Sequence, residues 1–324
     1  MKFSDNSPMG NFDIIGDIHG HIEQLTILLV KLGYRLNQQN YYEHSDRKVI
    51  FLGDFIDGGK NNKAVINIVR PMIENGSAYS VLANHEFNAI AYHTNHRVTD
   101  KPLRVHSIAN TKQHQTFLDE YTDVDELDDV INWFKTLPLF IETDGFRVIH
   151  ACWNERLIEQ ITPLLNDDNC LTDDFLEKAN NKGSFEYNAV ETLLKGVEIP
   201  LPQGITFNDK SGIERKNVRI KWWFENATTY KQYALVQSEV IDNLPDVDIQ
   251  KNLITPYYYS TNEKPVFIGH YWLVGQPVLQ SSNVACLDYS VGTSHNQVAY
   301  RWFNGDKQLT HNNFVCTLED SYEV

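Results

Sequence analysis

The 324-residue sequence has little cysteine. Its four residues, Cys152, Cys170, Cys286 and Cys316, are too widely spread for a disulfide scaffold or a zinc knuckle. It is also short of basic side chains. Lys and Arg number 28 against 43 Asp and Glu, a formal charge of −15, which argues against a surface built to grip nucleic acid or a membrane. Long apolar runs are missing: the longest near the start covers residues 27–30, far below the roughly 18 residues of a membrane span. Residues 1–10 are polar and carry Pro8, not the charged end and apolar stretch of a secretory signal, so a cytoplasmic location is expected. No internal repeat or long low-complexity tract occurs. What remains is ordinary for a globular chain. Apolar residues make up 42%, with 17 glycines besides, which excludes disorder, collagen and coiled coil as descriptions of the whole.

The first third repeats one pattern three times. Residues 12–16 (FDIIG), 48–53 (KVIFLG) and 78–83 (AYSVLA) read as short apolar strands, each followed by a polar turn and then a helix. Ile22, Leu25, Leu28, Leu29 and Leu32 have helical spacing with Gly33 as a stop. The second helix starts near Lys63, should kink or be limited at Pro71, and ends at Gly76. The third starts at residues 87–92. Such a series predicts parallel strands with crossover helices, and ligands bind outside the carboxyl ends of strands in these sheets.

Residues 93–128 are polar and read as a surface excursion, followed by a helix over 127–137 that stops at Pro138. Residues 139–141 and 146–149 form a hairpin around Asp144-Gly145, and its second strand ends at His150. Residues 155–262 are the least legible stretch, with a helix near 189–195, and are expected to be an elaboration or lid of one domain spanning 1–324. Another buried strand, 265–269, ends at His270, and 284–289 and 297–303 read as late strands closing a sheet.

The strand ends carry Asp17 and His19, Asp54 and Asp57, Asn84 and His85, His150, and His270. Each Asp or Asn alone is an ordinary turn former. Together, D-x-H, G-D-x-x-D, N-H-E and two strand-terminal histidines are hard to obtain from turn chemistry. A mixed Asp, His and Asn set suits Mn, Fe, Zn or Mg, not copper or cluster sites. A shared carboxylate would hold two cations roughly 3.5–4 Å apart. Such a pair binds phosphate oxygens, lowers the pKa of a bridging water and neutralises charge as the hydroxide attacks. The leaving oxygen then needs a proton. His85, next to a metal ligand, is placed to supply it, with Asp57 orienting the imidazole.

The motifs Gly16-Asp17-Ile18-His19-Gly20, Gly53-Asp54-Phe55-Ile56-Asp57-Gly58-Gly59, Asn84-His85-Glu86, His150 and Ile268-Gly269-His270 resemble those of the calcineurin-like metallophosphoesterases. They are closest to the branch of phosphoprotein phosphatases and bacterial diadenosine tetraphosphatases. Leu287-Asp288-Tyr289 is similar to the stretch that closes the family's sheet. The resemblance implies an α/β fold of two mixed sheets sandwiched between helices. It implies Asp17, His19 and Asp54 on a first metal, and Asp54, Asn84, His150 and His270 on a second. His85 matches the family's proton donor and Asp57 its carboxylate partner. The implied activity is hydrolysis of phosphate monoesters with two divalent cations, manganese foremost. The substrate is then a phosphoprotein or, alternatively, a nucleotide such as a dinucleoside polyphosphate; a non-catalytic phosphate-binding adaptor is the lesser alternative.

The branch usually has Arg where this chain has Gly58, and Gly where it has Ala83. The missing guanidinium removes a bidentate phosphate anchor. Lys60, Arg219 and Lys221 are the cations that would replace it. Other residues read as structural. His21 starts a helix, and His93, His96, His106 and His114 have spacings that fit no zinc site and read as solvated or rim residues. Of Trp222 and Trp223, one is expected in the core and the other along the site. Cys152 reads as packing, and the acidic run 119–129 lacks EF-hand spacing.

Overall fold

Strand alternation sorts the side chains into two sets. Residues Phe12, Ile14, Ile50 and Leu52 share one buried cluster with Ile141, Val148, Phe267 and Ala285, while their neighbours Ile15, Val49, Phe51, Ile149, Val266 and Ile268 pack with the helices. Two sheets therefore meet face to face, with helices on their outer sides. This is the arrangement in the computed structural model, which describes residues 10–208, 214–225, 227–236, 241–242 and 244–318. The polar residues 1–9, on which the absence of a signal was read, and parts of 155–262 lie outside the described residues.

The strands of these two sheets are β1 (Asn11–Ile15), β2 (Arg47–Phe51), β3 (Ala78–Ser80), β4 (Phe140–Glu142), β5 (Arg147–Ile149), β6 (Val266–Ile268), β7 (Val284–Cys286), β8 (Val298–Trp302) and β9 (Phe314–Cys316). One sheet has the order β9-β8-β1-β2-β3, the other β7-β6-β5-β4. β1, β2 and β3 run parallel, and β8 joins β1 antiparallel. β7, β6 and β5 run parallel, and β4 closes the second sheet antiparallel to β5 across Asp144-Gly145. Both sheets are mixed. The carboxyl ends of β1, β2, β3, β5 and β6 lead into the polar turns singled out above.

The crossover helices are α1 (Ile22–Leu32), α2 (Asn62–Glu74) and α3 (Asn84–His93). α1 starts after His21 and ends at Gly33, as its apolar spacing required. α2 continues through Pro71 to Glu74, close to its expected end at Gly76, and Asn75 closes it by donating both its backbone N (3.0 Å) and Nδ2 (2.8 Å) to the Pro71 carbonyl. α3 begins at Asn84, three residues earlier than expected, so Asn84 and His85 lie in a helical first turn.

Residues 93–128 are not merely an excursion. They contain α4 (Ile108–Glu120), whose buried side is His114 and Phe117 and so lacks the aliphatic stripe that marks a helix in sequence. Ser107 caps it by accepting from Asn110 N (3.2 Å). α5 (Val124–Phe134) starts earlier than 127 because the Asp123 side chain accepts from Glu126 N (3.0 Å). Between β5 and β6 lie α6 (Glu155–Ile161), α7 (Asp173–Ala179) and α8 (Phe185–Lys195), and a short ribbon pairing Glu198–Pro200 with Asn217–Arg219. No helix among the described residues is long and apolar enough to cross a membrane.

Candidate metal centre

The strand-end side chains converge. Ligand atoms of His19, Asp54 and His85 lie within 4.8 Å of one another, as do those of Asp54, His150 and His270. Asp54 belongs to both groups. Its Oδ2 lies 3.6 Å from His19 Nε2 and 3.4 Å from His150 Nε2, while Oδ1 accepts from His85 N (3.0 Å). Asn84 Oδ1 sits 2.9 Å from His150 Nε2 and 2.7 Å from His270 Nδ1. Asp17 Oδ2 accepts from His270 N (2.9 Å) and lies 4.0 Å from His19 Nε2.

Backbone carbonyls decide which imidazole nitrogens stay free. A carbonyl only accepts, so His150 Nδ1 must donate to Leu52 O (2.8 Å) and His19 Nδ1 to Ile56 O (3.1 Å). In the neutral rings this leaves both Nε2 lone pairs aimed at carboxylate and amide oxygens. Asp17 Oδ1 and His270 Nε2 are buried with no hydrogen-bond partner. Lone pairs facing lone pairs, with two orphaned buried acceptors beside them, are what a cation-binding site presents. The residues fit divalent cations of the hard or borderline kind.

The electrostatics agree. Burial, then the Asp288 and Asp54 charges, pushes the Asp17 carboxyl well above its usual range. Burial and the Asp54 charge raise Glu86 to about 7. Burial alone would raise Asp54, but the surrounding His150 and His85 outweigh it and hold Asp54 well below its usual range. Four buried carboxylates, Asp17, Asp54, Glu86 and Asp288, thus crowd one region, and divalent cations would relieve their repulsion.

The backbone carries strain at these same residues. His19 (φ 48°), Asp54 (φ 49°), Asp57 (φ 63°) and His270 (φ 70°) all occupy left-handed space, which non-glycine residues rarely adopt. Supporting contacts fix them there. Glu86 takes Asp54 N (2.9 Å) and Phe55 N (2.8 Å) on its two oxygens. Gln297 Nε2 donates to the carbonyls of Gly16 and Asp17, both at 2.9 Å. Asp288 Oδ2 accepts from Trp272 N (2.7 Å) just after His270. Neither Gln297 nor a bracing role for Glu86 was anticipated from the sequence.

One glycine is required for space. A Cβ on Gly269 would lie 2.0 Å from Asp17 Oδ1, the orphaned oxygen. Gly269→Ala should turn that carboxylate away and weaken cation binding by about 10–100-fold. Metal titration checks this, with the thermal midpoint of the metal-free chain as the folding control; unchanged affinity would show that Asp17 is not needed.

Beside the cluster, His85 Nδ1 donates to Asp57 Oδ2 (2.9 Å). Burial opposes a charge on His85, but Asp54 and the Asp57 hydrogen bond outweigh it and hold the ring up at about 9. Its Nε2 is the nitrogen left for chemistry. His114, expected to be solvated or on the rim, is buried, and its Nδ1 donates to Asp57 Oδ1 (2.9 Å).

A family model described as calcineurin-like phosphoesterase matches residues 10–201, more than half of the chain. The chain belongs to this family. Among curated relatives, the asymmetrical bis(5'-nucleosyl)-tetraphosphatase PrpE of Oceanobacillus iheyensis is 30% identical over 148 residues, 45% of this chain and 58% of that protein. The protein of the same name from Halalkalibacterium halodurans is 30% identical over 142 residues, 43% and 56% of the two chains. The chain therefore spans little more than half the length of these relatives. A solved cold-active protein-tyrosine phosphatase of a psychrophilic Shewanella aligns over 96% of this chain and 81% of its own, at 13% identity and TM-score 0.48. That likeness is too loose to carry an inference.

Family membership makes the departure at Gly58 concrete. Gly58 has φ +133°, and a Cβ there would lie 3.1 Å from His19 Cβ. The turn packs backbone on backbone: Gly59 N donates to His19 O (2.6 Å), and a Cβ on Gly59 would come 2.7 Å from Gly20 O. An arginine at 58 would be strained whatever its side chain reached. Lys60 is exposed, and Lys221 leans over Phe224 at 6.0 Å. Arg219 differs. It lies over Tyr271 (6.0 Å), its Nε is buried without a partner, and after burial its charge is the largest influence holding His270 well below the usual imidazole range.

Both tryptophans of the pair at 222–223 are core residues, not one in the core and one along the site. Trp222 and Trp223 are both buried, their rings perpendicular at 5.2 Å, and both pack against Tyr271, to whose hydroxyl Trp222 Nε1 donates (2.9 Å). They sit in irregular chain, where neighbouring side chains need not face opposite ways. Cys152 is buried packing, as expected.

Proposed function

We propose that this chain is a metal-dependent phosphoesterase acting on phosphate monoesters. The observation that carries the reading is the pair of ligand groups that share Asp54. In this reading Asp17, His19 and Asp54 hold one cation, and Asp54, Asn84, His150 and His270 hold the other, with manganese the first metal to test. Two divalent cations held there would supply charge for the phosphate oxygens and acidify water toward neutral pH. The chain's own groups do the rest. His85 Nε2 delivers a proton to the leaving oxygen, and Asp57 fixes the ring through its Nδ1–H. Arg219, at the His270 side, supplies the guanidinium that Gly58 cannot.

A phosphoprotein is the first substrate class. Two observations favour a second reading, a dinucleoside polyphosphate. The matched relatives are named for that activity. Trp272, two residues past His270, has an exposed ring available for stacking on a base, and the Asp288 hydrogen bond steadies its backbone. The purified chain should hydrolyse 4-nitrophenyl phosphate with Mn²⁺ and lose this with a chelator. Turnover of a phosphopeptide against diadenosine tetraphosphate then separates the two substrate classes. No hydrolysis with Mn²⁺, Fe²⁺, Zn²⁺ or Mg²⁺ would contradict the proposal.

A further inference from the structure

The dyad of His85 and Asp57 does not end at Asp57. The carboxylate takes His85 Nδ1–H on Oδ2 (2.9 Å) and His114 Nδ1–H chiefly on Oδ1 (2.9 Å) with Oδ2 at 3.2 Å, so two imidazoles hold both oxygens. With its Nδ1–H given to Asp57, the neutral His114 ring accepts at Nε2 from His93 Nε2 (3.2 Å). His85 lies in the first turn of α3 and His93 in its last, so the run His85–Asp57–His114–His93 returns to the helix it left. Its members come from three places: α3, the loop after β2, and α4.

α4 holds that loop directly through His114 and indirectly through the first turn of α2. Besides His114, its Glu120 accepts from Asn62 N (2.8 Å), Asn62 Nδ2 (2.6 Å) and Lys63 N (2.9 Å), and Asn62 Oδ1 accepts from Asp57 N (2.8 Å). Both the carboxylate and the backbone of Asp57 are therefore held from α4. The hold matters because Asp57 sits in left-handed backbone, which persists only when its surroundings over-determine it. His114 is itself fixed by stacking on Phe117, with centroids 4.7 Å apart and planes 18° apart. A carboxylate held by one hydrogen bond can swing; one clamped on both oxygens cannot, and the imidazole it orients stays aimed.

We propose that His114 is a positioning residue for leaving-group protonation: it holds Asp57 so that His85 Nε2 points at the leaving oxygen. This rests on the phosphoesterase reading. His114 touches neither substrate nor cation and acts through Asp57.

The test compares His114→Phe with His114→Asn in the Mn²⁺-loaded chain. Phenylalanine keeps the volume and the stack on Phe117 but leaves Asp57 Oδ1 without its donor. Asparagine is smaller but puts an N–H donor near the place of Nδ1. Each variant is assayed on phenyl phosphate, whose leaving oxygen needs a proton, and on 4-nitrophenyl phosphate, whose leaving oxygen needs one far less. The expected result for His114→Phe is a kcat on phenyl phosphate lower by about 10-fold or more, part of the 10²–10⁴ of positioned acid catalysis. KM, metal content and 4-nitrophenyl phosphate turnover should change little, and His114→Asn should recover most of the loss. A merely structural role gives the reverse order, with the smaller asparagine the more damaging, or equal losses on both esters. Either outcome in an active enzyme overturns the inference alone. A wild-type chain that cleaves neither ester overturns the phosphoesterase reading and the inference with it.

Discussion

Asparagine in place of Asp54 is expected to cost the chain tight binding of both cations and turnover by a factor on the order of 10³ or more, the equivalent of several kcal/mol of lost charge stabilisation. The change is confined to one atom. Oδ1 would still accept from His85 N, now at 3.0 Å, so the first turn of α3 keeps its anchor. Oδ2, 3.6 Å from His19 Nε2 and 3.4 Å from His150 Nε2, would become a donor with no lone pair to offer a metal. Because His150 and His85 hold Asp54 well below its usual range, its charge stabilises the fold at neutral pH, so the metal-free variant should melt somewhat lower than wild type, while the rise in thermal midpoint on adding Mn²⁺ should largely vanish. Loss of one cation with full retention of the other would contradict the sharing of Asp54.

His85→Ala should leave two cations bound and slow turnover by about 10²–10⁴, with the larger losses on esters whose leaving oxygen most needs a proton. The geometry makes this a real contest. His85 also groups with His19 and Asp54 within metal-ligand reach. Its Nδ1 is committed to Asp57, so its Nε2 either carries a proton to the leaving group or binds a cation. Measuring metal content and kcat on the same preparation decides between these. A slow variant with two cations is the expected result, and loss of a cation would reassign His85 as a ligand.

The strands and their polar turns were legible because two local signals coincided: short apolar runs of the right length, and Asp, Asn or His where each run stops. That coincidence placed Asp17, His19, Asp54, Asn84, His150 and His270 on strand ends, and the structure gathers their side chains. α4 was illegible for the converse reason. Its buried positions are His114 and Phe117, so a helix that braces Asp57 looked like a polar stretch with scattered histidines. The left-handed backbone at His19, Asp54, Asp57 and His270 has no sequence signature, since these residue types elsewhere merely form turns. Gly58 was visible as a missing arginine, but its φ of +133°, which strains any side chain there, has no mark in the sequence. In residues 155–262 the strands are two or three residues long, too short for alternation to register. The position of Arg219 depends on one such ribbon, in which it pairs with Glu198. β9 was missed because its three residues are only half-buried and do not alternate.

The most direct test of the account is a calorimetric titration of Mn²⁺ into the metal-free wild-type chain and its Asp54→Asn variant. Two cations per chain are expected in the wild type, with both weakened together in the variant. A wild type that binds one cation or none, or a variant that still binds two with wild-type affinity, would contradict it.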